Sequence, residues 1–215
     1  MVTCAQGLGL GLLHALDSDH VAAVTTIVAS GKGPKRAMAI GAWWGAGHAA
    51  AVLGAGALLV ALGAHMPERL ALLFDAIVVF MLAGLGVGAL WRAMRARSSS
   101  SAPGAHAHPH LHQPARTPLR ALAVGLVHGA SGTAAVALAV LTTLPGLAQR
   151  YAYLFLFAGG AALGMTLLSA LLALSIGAAA RRFALPLRVM YVAAGCLSIG
   201  SAAALLRELV AGLAT

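Results

Sequence analysis

Long apolar stretches alternate with short polar connections along most of the chain. A helix needs roughly 20 apolar residues to cross about 30 Å of hydrocarbon. Six stretches reach that length, and they fall at about 5–29, 38–63, 70–92, 119–142, 152–178 and 188–211. The pattern therefore predicts an all-α, polytopic membrane protein with six transmembrane helices.

The composition agrees with this prediction. Hydrophobic residues make up 60% of the chain and charged residues only 9%, whereas a soluble domain has about 25% charged residues. The 26 glycines suit transmembrane helices that must approach each other closely. A net charge of +9 would fit a nucleic-acid-binding protein, but no polar face carries a basic patch. We expect the lipid bilayer, not nucleic acid, as the partner.

The basic residues are concentrated in alternate connections. The first, third and fifth connections contain Lys32, Lys35, Arg36, Arg92, Arg95, Arg97, Arg116, Arg120, Arg181, Arg182 and Arg188. The other connections and the chain end contain only Arg69, Arg150 and Arg207. The positive-inside rule then places the odd connections in the cytoplasm and both termini outside. We expect a multi-pass protein of the cytoplasmic (inner) membrane.

The stretch 98–118, within the third connection, differs in composition from the rest of the chain. It is rich in serine and proline and cannot form a packed core, so we expect a flexible cytoplasmic linker between a first unit, 1–97, and a second unit, 119–215. Alternating histidines favour metal binding only modestly over a polar spacer. The candidate accessory ligands are His106, His108, His110 and His112.

The two units carry similar short motifs. The segment Gly11–Ala15 (GLLHA) is echoed 114 residues later by Gly125–Gly129 (GLVHG), and Gly47–Ala50 is echoed 112 residues later by Gly159–Ala162. The similar offsets predict a duplicated three-helix unit. An odd number of helices inverts the second copy in the membrane, and inverted repeats place a substrate site near the midplane.

Four polar residues lie near the centre of the first apolar stretch: His14, Asp17, Asp19 and His20. One aspartate at the centre of a membrane helix costs about 2.5–3.5 kcal/mol, which a bound cation would offset. At about 100° per residue, Asp19 points away from the stripe formed by the other three. Either the helix is distorted, or an aspartate orients an imidazole through its second ring nitrogen.

Two further histidines lie at a similar depth, His48 in the second stretch and His128 in the fourth. A single histidine in a membrane helix is more often a hydrogen-bond partner than a ligand, but the acidic cluster favours an ion site. Imidazole with carboxylate suits first-row divalent ions such as Ni, Co, Zn or Mn. The predicted metal ligands are His14, Asp17, Asp19, His20, His48 and His128.

The segment His14–His20 has the HX4DH pattern and resembles the signature of the nickel/cobalt transporter (NiCoT) superfamily. Gly45–His48 resembles the Gly-His element of the next helix in that superfamily. Gly125–Gly132 resembles the corresponding segment of its six-helix branch, which includes urease-accessory membrane permeases. The resemblance implies roles in metal transport for His14, Asp19, His20 and His48, with Asp17 beside them.

The resemblance implies a permease for Ni2+ or Co2+, with uptake favoured over efflux, no catalytic activity and no tightly bound cofactor. A cytoplasmic metallochaperone is a candidate partner. The chain departs from the eight-helix members of the superfamily, since it has Ser131 and Thr133 where those members carry an acidic motif.

Four alternatives stay open at the level of sequence, one of which is a metal sensor or accessory subunit that binds the ion without translocating it. Histidine-rich cytoplasmic loops also occur in efflux members of the superfamily. A haem-b protein would use His14, His48 or His128 as axial ligands, but it gives the aspartates no purpose. A metal-dependent membrane hydrolase would activate water on the ion, although the chain has no HExxH motif.

Overall fold

The computed structural model describes residues 2–29, 33–63, 67–98, 116–131, 140–141, 143–183 and 187–213. Within these residues all the regular secondary structure is α-helical, which agrees with the predicted all-α class. The helices are α1 Val2–His14, α2 Ser18–Val28, α3 Pro34–Leu62, α4 Glu68–Ser98, α5 Arg116–Gly129, α6 Leu147–Arg182 and α7 Leu187–Leu213. Most of the predicted linker, with its four histidines, lies outside the described residues.

Four of these helices, α3, α4, α6 and α7, are long and apolar enough to cross a membrane. Their outward faces carry large apolar side chains, among them Leu62, Phe80, Phe155 and Leu171. Such a surface is stable only against lipid, so the chain is a multi-pass membrane protein.

The first apolar stretch forms two helices, not the single helix that its length predicts. The helix α1 ends at His14, and α2 begins at Ser18. Between them, the N–H of Asp17 donates to the carbonyl of His14 at 3.1 Å, and Asp17 itself has an extended backbone with φ −57° and ψ 146°. Aspartate and serine favour helix ends, where their side chains compete for local hydrogen bonds. We call residues 15–17 the first break.

The predicted fourth span, 119–142, is also interrupted. The helix α5 ends at Gly129, and a turn follows in which the N–H of Ser131 donates to the carbonyl of His128 at 3.2 Å. Helical backbone returns at residues 140, 141 and 143. We call the turn at residues 130–131 the second break.

The long helices pack in pairs: α3 lies along α6 and α4 along α7, while α1 lies against α6 and α5 against α3. The α3–α6 pair is antiparallel, because Gly45 approaches Ala162 while Gly56, further along α3, approaches Leu154, which comes earlier in α6. Glycine permits these close approaches because it has no Cβ.

The buried core has two apolar clusters. The first, which we call the Trp44 cluster, includes Val24, Trp44, Leu82 and Met165. The second, the Phe157 cluster, includes Val52, Leu141, Tyr153, Leu154 and Phe157. A layer of buried histidines makes ring contacts with both aromatic residues that name these clusters. The core is therefore apolar on two sides of a polar centre.

Candidate metal centre

Four histidines that are distant in sequence meet in this polar centre. They come from the end of α1 (His14), the first turn of α2 (His20), the middle of α3 (His48) and the end of α5 (His128). His14 is 7% exposed and the other three are fully buried. The ring centroids of His20 lie 4.6 Å from His14, 5.2 Å from His48 and 4.2 Å from His128.

Ring nitrogens of His14, His20 and His48 lie within 4.8 Å of one another, a spacing that allows all three to bind one metal ion. The first break makes this arrangement possible, because α1 and α2 present their histidines independently of each other. The structure thus contains the helix distortion that the sequence left as one of two alternatives.

The two aspartates of the signature make hydrogen bonds with imidazoles, which matches the other alternative. The carboxylate of Asp17 lies 2.8 Å from Nδ1 of His14. The carboxylate of Asp19 lies 3.1 Å from Nδ1 of His20 and 2.8 Å from Nε2 of His128. An ionised carboxylate only accepts hydrogen bonds, so each of these ring nitrogens donates its N–H. The aspartates therefore fix the orientation of three rings.

This arrangement sets which nitrogen of each ring carries the free lone pair. A neutral imidazole has one N–H and one lone pair, so donation from Nδ1 leaves the lone pairs of His14 and His20 on Nε2. Both Nε2 atoms are buried without a hydrogen-bond partner among the described residues, and so are both nitrogens of His48. Leaving a buried polar atom unpaired costs about 1–3 kcal/mol. All three of these histidines therefore carry buried ring nitrogens that have no hydrogen-bond partner among the described residues.

Asp19, His20 and His128 form a second group with metal-binding spacing, which shares His20 with the first. Here the carboxylate of Asp19 already bonds to both imidazoles. Nδ1 of His128, however, is buried without a hydrogen-bond partner among the described residues. The three-imidazole group differs from the second group in that no carboxylate belongs to it.

The structure brings together five of the six residues predicted as ligands, and the sixth, Asp17, reaches the group through His14. The side chain of Asp17 is 47% exposed, so it supports a ligand from the outside. The accessory histidines of the linker lie outside the described residues.

Sequence reasoning missed two aromatic neighbours of the centre. The Trp44 ring lies 5.5 Å from His20 and 5.8 Å from His128, and the Phe157 ring lies 5.4 Å from His14. One sequence signal could have identified Trp44 as a neighbour of the centre, because Trp44 precedes His48 by one helical turn. Nothing in the sequence singled out Phe157, because its position depends on the packing of α1 against α6.

Comparisons with known proteins agree with the resemblance seen in the sequence. The chain is 26% identical over 185 residues to urease accessory protein UreH from Bacillus sp. (strain TB-90), which covers 82% of this chain and 78% of that protein. No protein-family model and no solved structure matches. The similarity supports a relationship to the urease-accessory, nickel/cobalt-transporter-like proteins over most of the chain.

Proposed function

We propose that this protein is a transmembrane permease for divalent nickel or cobalt ions, with uptake favoured over efflux. The observation that carries the proposal is the convergence of His14, His20 and His48, whose free ring nitrogens are buried and unpaired. Polar atoms in a membrane interior mark substrate and ion pathways because they are costly to keep there.

The donor set favours this class of ion. Neutral imidazole suits nickel, cobalt, zinc and copper, whereas magnesium and calcium prefer oxygen ligands. The carboxylates of Asp17 and Asp19 lie one imidazole away from the free nitrogens and offset the positive charge of a dication. Similarity to a urease accessory protein and the resemblance to the nickel/cobalt transporters favour nickel or cobalt within this set.

The energy for uptake need not come from ATP, because the sequence lacks the phosphate-binding P-loop motif, GxxxxGK followed by serine or threonine. An inside-negative potential is worth about 2.3 kcal/mol per charge per 100 mV. A dication gains about twice that amount on entry. We place the protein in the cytoplasmic membrane, with both termini outside and the linker in the cytoplasm, on the distribution of basic residues.

The architecture we propose is six crossings in two inverted three-helix repeats, as in the six-helix branch. The first crossing of each repeat is interrupted at its break. Reciprocal glycine contacts support this relation: Gly11 packs on the backbone of Phe157, and Gly125, 114 residues later, packs on the backbone of Trp44, 113 residues before Phe157.

A second pair of contacts repeats the pattern. Gly47 packs on Leu122, and Gly160 packs on Leu8, with the same offsets of 113 and 114 residues. This register makes Ala161 the counterpart of His48, one residue later than the sequence echo indicates. The counterpart of His14 is His128 in either register. In a permease of this kind, rocking of one repeat against the other alternates access to the midplane site.

Uptake of radiolabelled Ni2+ and Co2+ by metal-starved cells tests the proposal. We expect His14→Ala and Asp19→Asn to abolish or strongly reduce accumulation at equal protein levels in the membrane. Glu68→Gln, at an exposed helix end, is the control and should accumulate metal like the unaltered protein.

Equal accumulation in the unaltered protein and both site variants would refute the proposed site. Faster metal loss from preloaded cells expressing the unaltered protein would establish efflux. In the same assay, deletion of 103–114 should change the apparent affinity for the metal while transport continues. Complete loss of transport would contradict the interpretation of this segment as a flexible linker, whether or not its histidines bind metal.

A further inference from the structure

Two aromatic side chains flank the histidine centre, and neither belongs to the predicted ligand set. Trp44 on α3 contacts the rings of His20 and His128, and Phe157 on α6 contacts the ring of His14. Trp44 is 1% exposed and Phe157 is 3% exposed. Each ring therefore forms part of the wall that encloses the donor atoms.

The two rings lie at different depths along the helices. Because α3 and α6 are antiparallel, the approaches of Gly45 to Ala162 and of Gly56 to Leu154 calibrate one helix against the other. On that scale Phe157 lies about eight residues beyond Trp44 along α3, or roughly 12 Å at 1.5 Å per residue. His48, four residues after Trp44, lies halfway between the two levels.

The two rings also occupy corresponding positions in the two halves of the chain. Gly125 of α5 packs against the backbone of Trp44, and Gly11 of α1 packs against the backbone of Phe157. A permease that alternates access needs a barrier on each side of its site, and an inverted repeat supplies the two barriers from corresponding residues.

Each barrier carries one buried polar atom without a hydrogen-bond partner among the described residues. These atoms are the indole nitrogen of Trp44 and the hydroxyl of Tyr153, whose ring stacks on Phe157 at 6.3 Å. A buried hydroxyl or N–H normally finds a partner. Water that enters when a barrier opens would provide one on either side.

We infer that Trp44 and Phe157 are the two gates of the permeation path, one on each side of the histidine centre. This inference rests on the proposed function, because gates have meaning only if an ion passes through. In the enclosed arrangement both gates are shut, and moving either ring aside exposes the donor atoms to one side of the membrane only.

Side-specific labelling tests the gates without any metal. Cys4 and Cys196 are the two cysteines of the chain, so Cys4→Ser with Cys196→Ser gives a background in which His48→Cys places one thiol at the centre. A charged, membrane-impermeant thiol reagent is applied to right-side-out and to inside-out membrane vesicles. His48→Cys alone should label slowly in both.

Adding Trp44→Ala should speed labelling by roughly tenfold in one type of vesicle only, and adding Phe157→Ala should do so only in the other. The matched controls are Trp43→Ala and Phe155→Ala, which remove exposed rings beside the gates (47% and 68% exposed). Both controls should leave the labelling rate unchanged.

The milder variants Trp44→Phe and Phe157→Leu guard against misfolding and should open the same sides to a smaller extent. The inference fails if the Trp44 variants and the Phe157 variants speed labelling in the same type of vesicle. It also fails if either set speeds labelling in both types, or if neither set speeds labelling at all. If the gates fail while His14→Ala still abolishes metal uptake, the proposed function stands without them. If uptake is insensitive to His14→Ala while labelling is side-specific, the gated path stands and the proposed metal site does not.

Discussion

The first break and the second break have the same backbone setting and different chemistry. Each follows a helix with a buried histidine in its last turn, His14 or His128, and each helix packs through a glycine onto the long helix of the other half. Around the first break lie two aspartates and a further histidine. The positions 114 residues later hold Ser131, Thr133 and Ala134.

This comparison indicates that scaffold and chemistry are separable in this protein. Both halves contribute the close helix contacts that enclose the centre, whereas three of its four histidines, and both aspartates that bond to them, come from the first half. The second half contributes His128, whose Nε2 is bonded to Asp19 while its Nδ1 is buried and has no hydrogen-bond partner among the described residues. On the proposed function, metal binding offsets the cost of placing the polar residues of the first half inside the membrane.

The largest expected effect separates the two halves. His20→Ala removes one of the three proposed ligands and one of the two imidazoles that bond to Asp19, so Ni2+ affinity of the purified protein should fall by more than about 100-fold, beyond the range for groups that only orient a ligand. Isothermal titration calorimetry measures it. An affinity within about tenfold of the unaltered protein would show that His20 is not a ligand.

The shared scaffold gives the next prediction. Gly11→Ala and Gly125→Ala each push a methyl group into the backbone of the partner helix, at Phe157 and at Trp44 respectively. Both should lower the free energy of unfolding by about 1–3 kcal/mol, measured by denaturation in detergent. Gly9→Ala is the control, since a Cβ there meets nothing within 4 Å. If only one of the two substitutions lowered the free energy of unfolding, the two glycine contacts would not be equivalent in the two halves.

The smallest effect should come from the second half. His128→Ala removes a hydrogen bond to Asp19 but leaves all three histidines of the three-imidazole group in place, so Ni2+ affinity should fall only about tenfold, the lower end of the range for groups that support a ligand. Competition with a coloured metal chelator measures the change. A loss as large as that of His20→Ala would make His128 a direct ligand and give the two halves equal weight.

The sequence predicted the helical class, the membrane and the histidines because these depend on local pattern and on the cost of polar groups in lipid. It left open how Asp19 takes part, because an ideal helix separates it from the stripe of His14, Asp17 and His20. The first break, set by local hydrogen bonds at Asp17, resolves that geometry. The sequence could not identify Phe157 as a neighbour of His14, because only the packing of α1 on α6 brings the two side chains together.

The central claim is that free imidazole nitrogens of His14, His20 and His48 bind the metal ion. X-ray absorption spectroscopy of the Ni2+-loaded protein tests it most directly. We predict the multiple-scattering pattern of several imidazoles with no sulfur ligand, and a clear loss of imidazole signal in His48→Ala. A nickel environment of oxygen atoms alone, or one that His48→Ala leaves unchanged, would contradict the account.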